Sequence, residues 1–195
     1  MAFDDFHDFI AYLADYAWFW PGVATSIVLG IVLSRRIARA LKVRRTVAMT
    51  LLLSLGLIAS ATLTPSREAV RFGTIGSGSC DLGRIGPASL AELLAFGDPT
   101  LNVLLFIPLG VVIGLFPASR RKVVLVVAAL ALPFAIETIQ LLARGLDRAC
   151  QSSDVSDNLT GLVIGLVVGL VVGVVARRRA QSASGSGRED DGIEP

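Results

Sequence analysis

The stretch AIETIQLLAR, beginning at Ala135, places Glu137, Gln140 and Arg144 at the end of an apolar run long enough to cross a membrane. Residues spaced three and seven apart share one face of a helix, so a continuous helix would align these three side chains. Fourteen residues downstream of Gln140, Asp154 begins a second polar group, with Asn158 one turn further on. Arg148 lies between the two groups, and an earlier apolar run, LNVLLFIPLG, carries Asn102 in its first turn. A carboxylate near the middle of a span costs about 2.5–3.5 kcal/mol on insertion scales. Arginine and amide partners at the same depth offset that cost.

These residue types fit three kinds of arrangement. As an enzyme site, Glu137 would act as general acid or base and Arg148, or Arg144, would clamp phosphate oxygens. Asp154 would orient the arginine, serve as a second acid or base, or share a divalent cation with Glu137, while Asn102, Gln140 and Asn158 position a lipid or polyprenyl-phosphate head group. As a binding site, the same cluster would hold a lipid head group or a lipid-linked cell-wall precursor reversibly, without chemistry. As a polar lock, Glu137, Arg148, Asp154 and Asn158 would do no more than join helices. No Ser or Cys nucleophile elbow is visible, which weighs against covalent catalysis. The sequence names no cofactor, and no zinc-ligand spacing occurs.

Composition sets the frame for these residues. The chain has 195 residues, 53% of them hydrophobic and 17% charged, with a mean hydropathy of +0.69. It is too apolar for a soluble domain of that size and reads as a polytopic membrane protein. Nucleic acid is excluded as a partner, since no basic stripe interleaves with aromatics. A cleaved signal peptide is not expected, because MAFDDFHDF is acidic where a positive region belongs.

Five apolar stretches, Ala17 to Ser34, Thr46 to Leu63, Leu101 to Pro117, Val123 to Ala143 and Asn158 to Ala176, approach the length of a transmembrane helix. An all-α bundle follows, because in lipid only a helix satisfies its own backbone. Basic residues cluster after spans one, three and five: Arg35, Arg36, Arg39, Lys42, Arg44 and Arg45, then Arg120 to Lys122, then Arg177 to Arg179. The opposite segments hold only Arg67, Arg71, Arg84, Arg144 and Arg148. By the positive-inside rule the N-terminus is outside and the C-terminus cytoplasmic. Asn102, Glu137, Gln140, Arg144, Arg148, Asp154 and Asn158 then all fall at the outer leaflet. Polar residues do not continue through the inner half, so a transport path is not expected.

Residues 1–16 read as an amphipathic interfacial segment, with Trp18 and Trp20 at headgroup level. Residues 17–179 form the transmembrane domain, with residues 64–100 as a Gly/Ser-rich outer loop, and residues 180–195 read as a disordered cytoplasmic tail. Gly161, Gly165 and Gly169 mark a face of the last span for close helix packing. Asp147 and Asp157 read as solvated loop and helix-start carboxylates. Cys80 and Cys150 both fall on the oxidising side, where they are either paired in a disulfide or two free thiols.

Two blocks carry a family resemblance: NVLLFIPLG at Asn102 to Gly110, and ETIQLLARGLDRACQSSDVSDNLTGLVIG at Glu137 to Gly165. The second resembles the VanZ-like pattern of Glu and Gln three apart, an Arg, an Asp six residues beyond it, an Asn four further and a Gly three after that. Here those positions are Glu137, Gln140, Arg148, Asp154, Asn158 and Gly161, with Arg144 as a second fit to the arginine. Two positions depart from the pattern: Ser153 replaces the first of an acidic pair, and Asp157 replaces an apolar residue. The resemblance implies a multi-pass protein of the bacterial cell membrane that modulates the envelope, in the manner of a family named for a member linked to teicoplanin resistance.

Overall fold

The computed structural model describes residues 18–95 and 97–186, so the expected interfacial segment 1–16 and residues 187–195 lie outside the described residues. In chain order the elements are α1 (Phe19–Leu41), α2 (Arg45–Thr62), α3 (Arg67–Phe72), β1 (Cys80–Asp81), α4 (Leu90–Leu94), α5 (Asp98–Leu115), α6 (Arg120–Leu142), a 3-10 turn (Arg144–Leu146), β2 (Cys150–Gln151) and α7 (Ser152–Ser186). Among the described residues, five helices are long and apolar enough to cross a membrane: α1, α2, α5, α6 and α7. The fold is the all-α bundle expected. Its helices nevertheless overrun the apolar stretches that mark them. α1 continues through Arg35, Arg36 and Arg39 to Leu41, because arginine and alanine propagate a helix well. α7 begins at Ser152, before Asn158, and stays helical to Ser186 within the segment that reads as a tail.

α1 and α2 form an antiparallel hairpin. Gly22 faces Ser60 and Gly56 faces Ser26, so the numbering falls along one helix as it rises along the other. Lys42, in the left-handed region at φ 57°, closes α1. Arg45 ties the hairpin shut by donating from Nε to Ser34 Oγ at 3.0 Å.

α5 is the central helix. Val103, Phe106, Leu109, Val112 and Ile113 are buried in a core completed by Ile58 of α2, Ile136 of α6 and Leu162 of α7. α5 and α7 run parallel, as two spans beginning at the same membrane face must. Gly161, Gly165 and Gly169 lie directly against the backbone carbonyls of Val103, Ile107 and Val111, and Gly110 and Gly114 return the approach from α5. At these contacts no side chain fits, which is the helix-packing role expected of the glycine face. The remaining faces are apolar and exposed, as with Val123, Val124 and Val127 on α6 and Val163, Val167 and Val171 on α7. Such surfaces suit hydrocarbon and would be unfavourable in water.

Two chemically different ends result. One holds the arginine-rich turns, where Lys122 Nζ donates to the Gly114 and Phe116 carbonyls at 2.8 and 3.1 Å and so caps α5. At the other, residues 63–95 fold over the end of α6 and the start of α7. A parallel pairing of β1 with β2 joins Cys80 to Cys150 and Asp81 to Gln151, and the two cysteines form a disulfide with Cα atoms 4.5 Å apart.

Asp147 is a half-buried loop carboxylate that also makes contacts the sequence did not indicate. Its Oδ2 accepts from Ser66 Oγ at 2.9 Å and Thr74 Oγ1 at 2.6 Å, pinning the start of the loop. Asp157 is fully buried instead of sitting at a wet helix start. It accepts from Arg84 Nη2 at 2.5 Å, Arg84 Nη1 at 3.2 Å and Ala88 N at 3.0 Å. The hydrogen bond to Asp157 raises the proton affinity of Arg84 above its ordinary value, so the guanidinium stays charged.

Candidate functional site

At the loop-covered end the starts of α1, α5 and α7 and the ends of α2 and α6 meet around a cleft of about 370 Å³. Its polar lining includes Asn102, Glu137, Gln140, Arg148, Asp154 and Asn158, joined by Asp98, Thr62 and Gln151. Leu57, Leu101, Leu104 and Leu105 form its apolar wall. Six of the seven side chains singled out from their spacing therefore come together, from α5, α6, β2's approach and α7.

Each is placed by a definite local cause. Glu137 and Gln140 are three apart on α6 and both are buried. Gln151 N donates to Glu137 Oε2 at 2.7 Å, an amide delivered by the short β2 strand that the disulfide holds. Gln140 Nε2 donates to the Thr62 carbonyl at 2.9 Å. That carbonyl belongs to the last turn of α2, where a helix leaves its acceptors unpaired. Arg148 answers the same need, donating from Nη2 to Ala61 O at 3.2 Å and from Nε to Thr64 O at 3.1 Å. A cation there also complements the negative end of the helix dipole. Asp154 and Asn158 stand one turn apart near the start of α7.

Two buried acceptors in this lining have no hydrogen-bond partner: Gln140 Oε1 and Asn158 Oδ1. Gln140 is 7% exposed and Asn158 1%, so each side chain is almost wholly enclosed by protein at the wall of the cleft. Native proteins satisfy nearly all such groups, and an orphan commonly marks the place of a missing ligand or water. Among the described residues, no three His, Cys, Asp or Glu side chains converge closely enough to hold a metal ion. The carboxylates of Asp98, Glu137 and Asp154 line the cleft without all three converging on one point.

Arg144 does not join the cleft. α6 ends at Leu142, Ala143 leaves helical geometry at ψ 65°, and the following 3-10 turn redirects the chain. Arg144 is therefore off the face shared by Glu137 and Gln140. Its Nε donates to the Gly76 carbonyl at 3.0 Å while Gly76 N donates back to the Arg144 carbonyl at 2.8 Å. It anchors the loop, which leaves Arg148 as the arginine of the cleft.

Sequence reasoning missed Asp98 and the Arg84–Asp157 pair. Asp98 was detectable: the pair Asp98-Pro99 is a helix-start signature, and starting α5 there puts Asp98 one turn from Asn102. No local signal links Arg84 to Asp157, which are 73 positions apart.

An all-α bundle with apolar outer faces and its polar residues gathered at one end defines a polytopic membrane protein. The family model described as VanZ/LLP1 matches residues 58–173, more than half of the chain, and the chain belongs to that family. No curated protein and no solved structure matches it.

Proposed function

We propose that this chain is a bacterial cell-membrane protein whose cleft binds the head group of a membrane lipid or a lipid-linked cell-wall precursor at the outer leaflet, and that it modulates the envelope through that binding. The observation that carries the reading is the cleft itself: a polar floor with unpartnered acceptors beside an apolar wall. Leu104 belongs to that wall and is also 46% exposed on the lipid-facing surface of α5. A head group would enter sideways from the leaflet, leaving its acyl chains along α5. The distribution of arginines supports placing the loop-covered end outside, and a disulfide belongs on that oxidising side. For the cell, the consequence would be an altered envelope, including altered susceptibility to teicoplanin-type glycopeptides.

Two carboxylates in the cleft, Glu137 and Asp154, favour a second reading as an enzyme that modifies phospholipid or polyprenyl-phosphate head groups. One experiment separates the two. A deletion strain is complemented with wild type, Glu137→Ala or Asp154→Asn at matched membrane levels. Lipids are then profiled by mass spectrometry, both from whole cells and from the purified protein. Binding predicts a co-purifying lipid that is lost from both variants while the cellular profile is unchanged. An enzyme predicts a cellular lipid species that vanishes with both variants. Loss of neither contradicts both readings.

A further inference from the structure

We propose that the head group accepted by this cleft presents a primary ammonium carried on a lipid; the inference rests on the headgroup-binding reading above. The lining carries more acidic than basic side chains and two amide oxygens without a hydrogen-bond partner. Gln140 lines the cleft and has its amide orientation fixed by the Nε2 bond to the Thr62 carbonyl, which leaves Oε1 as a buried oxygen without a partner. Asn158 offers a second buried, unpartnered oxygen. Glu137 takes its hydrogen bond from Gln151 at Oε2, which leaves the lone pairs of Oε1 to be filled.

Charge points the same way. Three carboxylates, Asp98, Glu137 and Asp154, line the cleft beside one guanidinium, that of Arg148. The Arg148 Nε and Nη2 donors already serve the carbonyls of Thr64 and Ala61. A bare phosphate entering here would meet like charge in a medium that screens poorly. A primary ammonium brings three donors, no acceptor and a positive charge, which complements amide oxygens and carboxylates together. A quaternary ammonium brings the charge without the N–H groups, and so cannot satisfy Gln140 Oε1 or Asn158 Oδ1. The lipid part follows from Leu104, which continues the cleft wall onto the exposed face of α5.

The test is competitive retention on the full chain in detergent, read by native mass spectrometry. Phosphatidylethanolamine, phosphatidylcholine and phosphatidate with identical acyl chains are supplied in equal amounts. Wild type is expected to retain phosphatidylethanolamine about tenfold over each of the other two, the ratio a single extra charge-assisted hydrogen bond produces. Asn158→Leu is expected to abolish that preference, and Asp154→Asn provides the same comparison if the first variant does not fold. Equal retention of phosphatidylcholine and phosphatidylethanolamine would overturn the inference, because N–H donors would then play no part. Preference for phosphatidate, lost in Arg148→Gln, would overturn it while leaving the headgroup-binding reading intact. Retention that ignores every one of these substitutions would sink both.

Discussion

The Arg84–Asp157 pair predicts an asymmetry between its two single substitutions. Asp157 is fully enclosed, whereas the Arg84 side chain is 31% exposed. Arg84→Met removes the cation and leaves a carboxylate in the bundle with Ala88 N as its one remaining donor among the described residues. Breaking a buried pair in this way costs about 3–5 kcal/mol. Asp157→Asn instead leaves an arginine that water can reach, and the new side chain still accepts from Ala88 N, so the loss is nearer one hydrogen bond to a charged group, about 1.5 kcal/mol. The disulfide at Cys80 holds the loop upstream and the Arg144–Gly76 bonds hold its start, so the effect is confined to residues 82–89. Amide exchange at Ala88 and Gly86, both bonded to side chains of α7, reads it directly. At 1.4 kcal/mol per tenfold, Arg84→Met should accelerate their exchange by roughly two to three and a half powers of ten and Asp157→Asn about tenfold. The double variant Arg84→Met, Asp157→Leu should recover most of the protection at Gly86, whose acceptor Ser156 is untouched, but not at Ala88, which loses its acceptor. Equal acceleration in the two single variants would refute the asymmetry, and no change in either would show that the disulfide alone holds the loop.

Other consequences follow from the same packing and capping. A Cβ at Gly165 would press on the Ile107 carbonyl and lie 2.9 Å from Val111 N, whereas one at Gly173 meets nothing closer than 3.7 Å. Gly165→Ala should therefore lower thermal stability in detergent by about 1–3 kcal/mol, and Gly173→Ala should be neutral or slightly stabilising. The Glu92 carboxyl, held below the usual carboxylate range by its hydrogen bonds with Ser89, closes the capping box of α4. A depressed pKa stabilises above the unfolded value of about 4.3 and is lost as pH falls through the folded value. Amides of α4 should accordingly exchange faster below about pH 4, and Glu92→Gln should remove most of that pH dependence.

What the sequence discloses and what it hides have physical causes. Hydropathy marks all five spans because a helix in lipid needs a continuous apolar run, and the Gly161, Gly165 and Gly169 spacing marks their closest contact because only glycine lets two backbones meet. The clustering of Glu137, Gln140, Asp154, Asn158 and Asn102 was legible because alternating spans force alternate helix ends to one level. Helix ends were less legible. Arginine continues α1 past its apolar part, and a break after Leu142 removes Arg144 from a face that continuous helical periodicity would give it. The loop contacts were hidden altogether, since a buried carboxylate such as Asp157 looks like any helix-start aspartate until its partner arrives from a segment with no periodicity of its own.

The central claim is that the polar cluster is a site and not a lock between helices. Asn158→Leu in the purified protein tests it most directly, with thermal stability and co-purified lipid measured on the same sample. A buried acceptor left unpartnered for a ligand is a cost to the empty fold, so replacing it with an apolar side chain should leave the melting temperature unchanged or raised while the bound lipid falls about tenfold and its head-group preference is lost. A melting temperature lowered by several degrees with the lipid content unchanged would mean that the cluster exists to hold α5, α6 and α7 together.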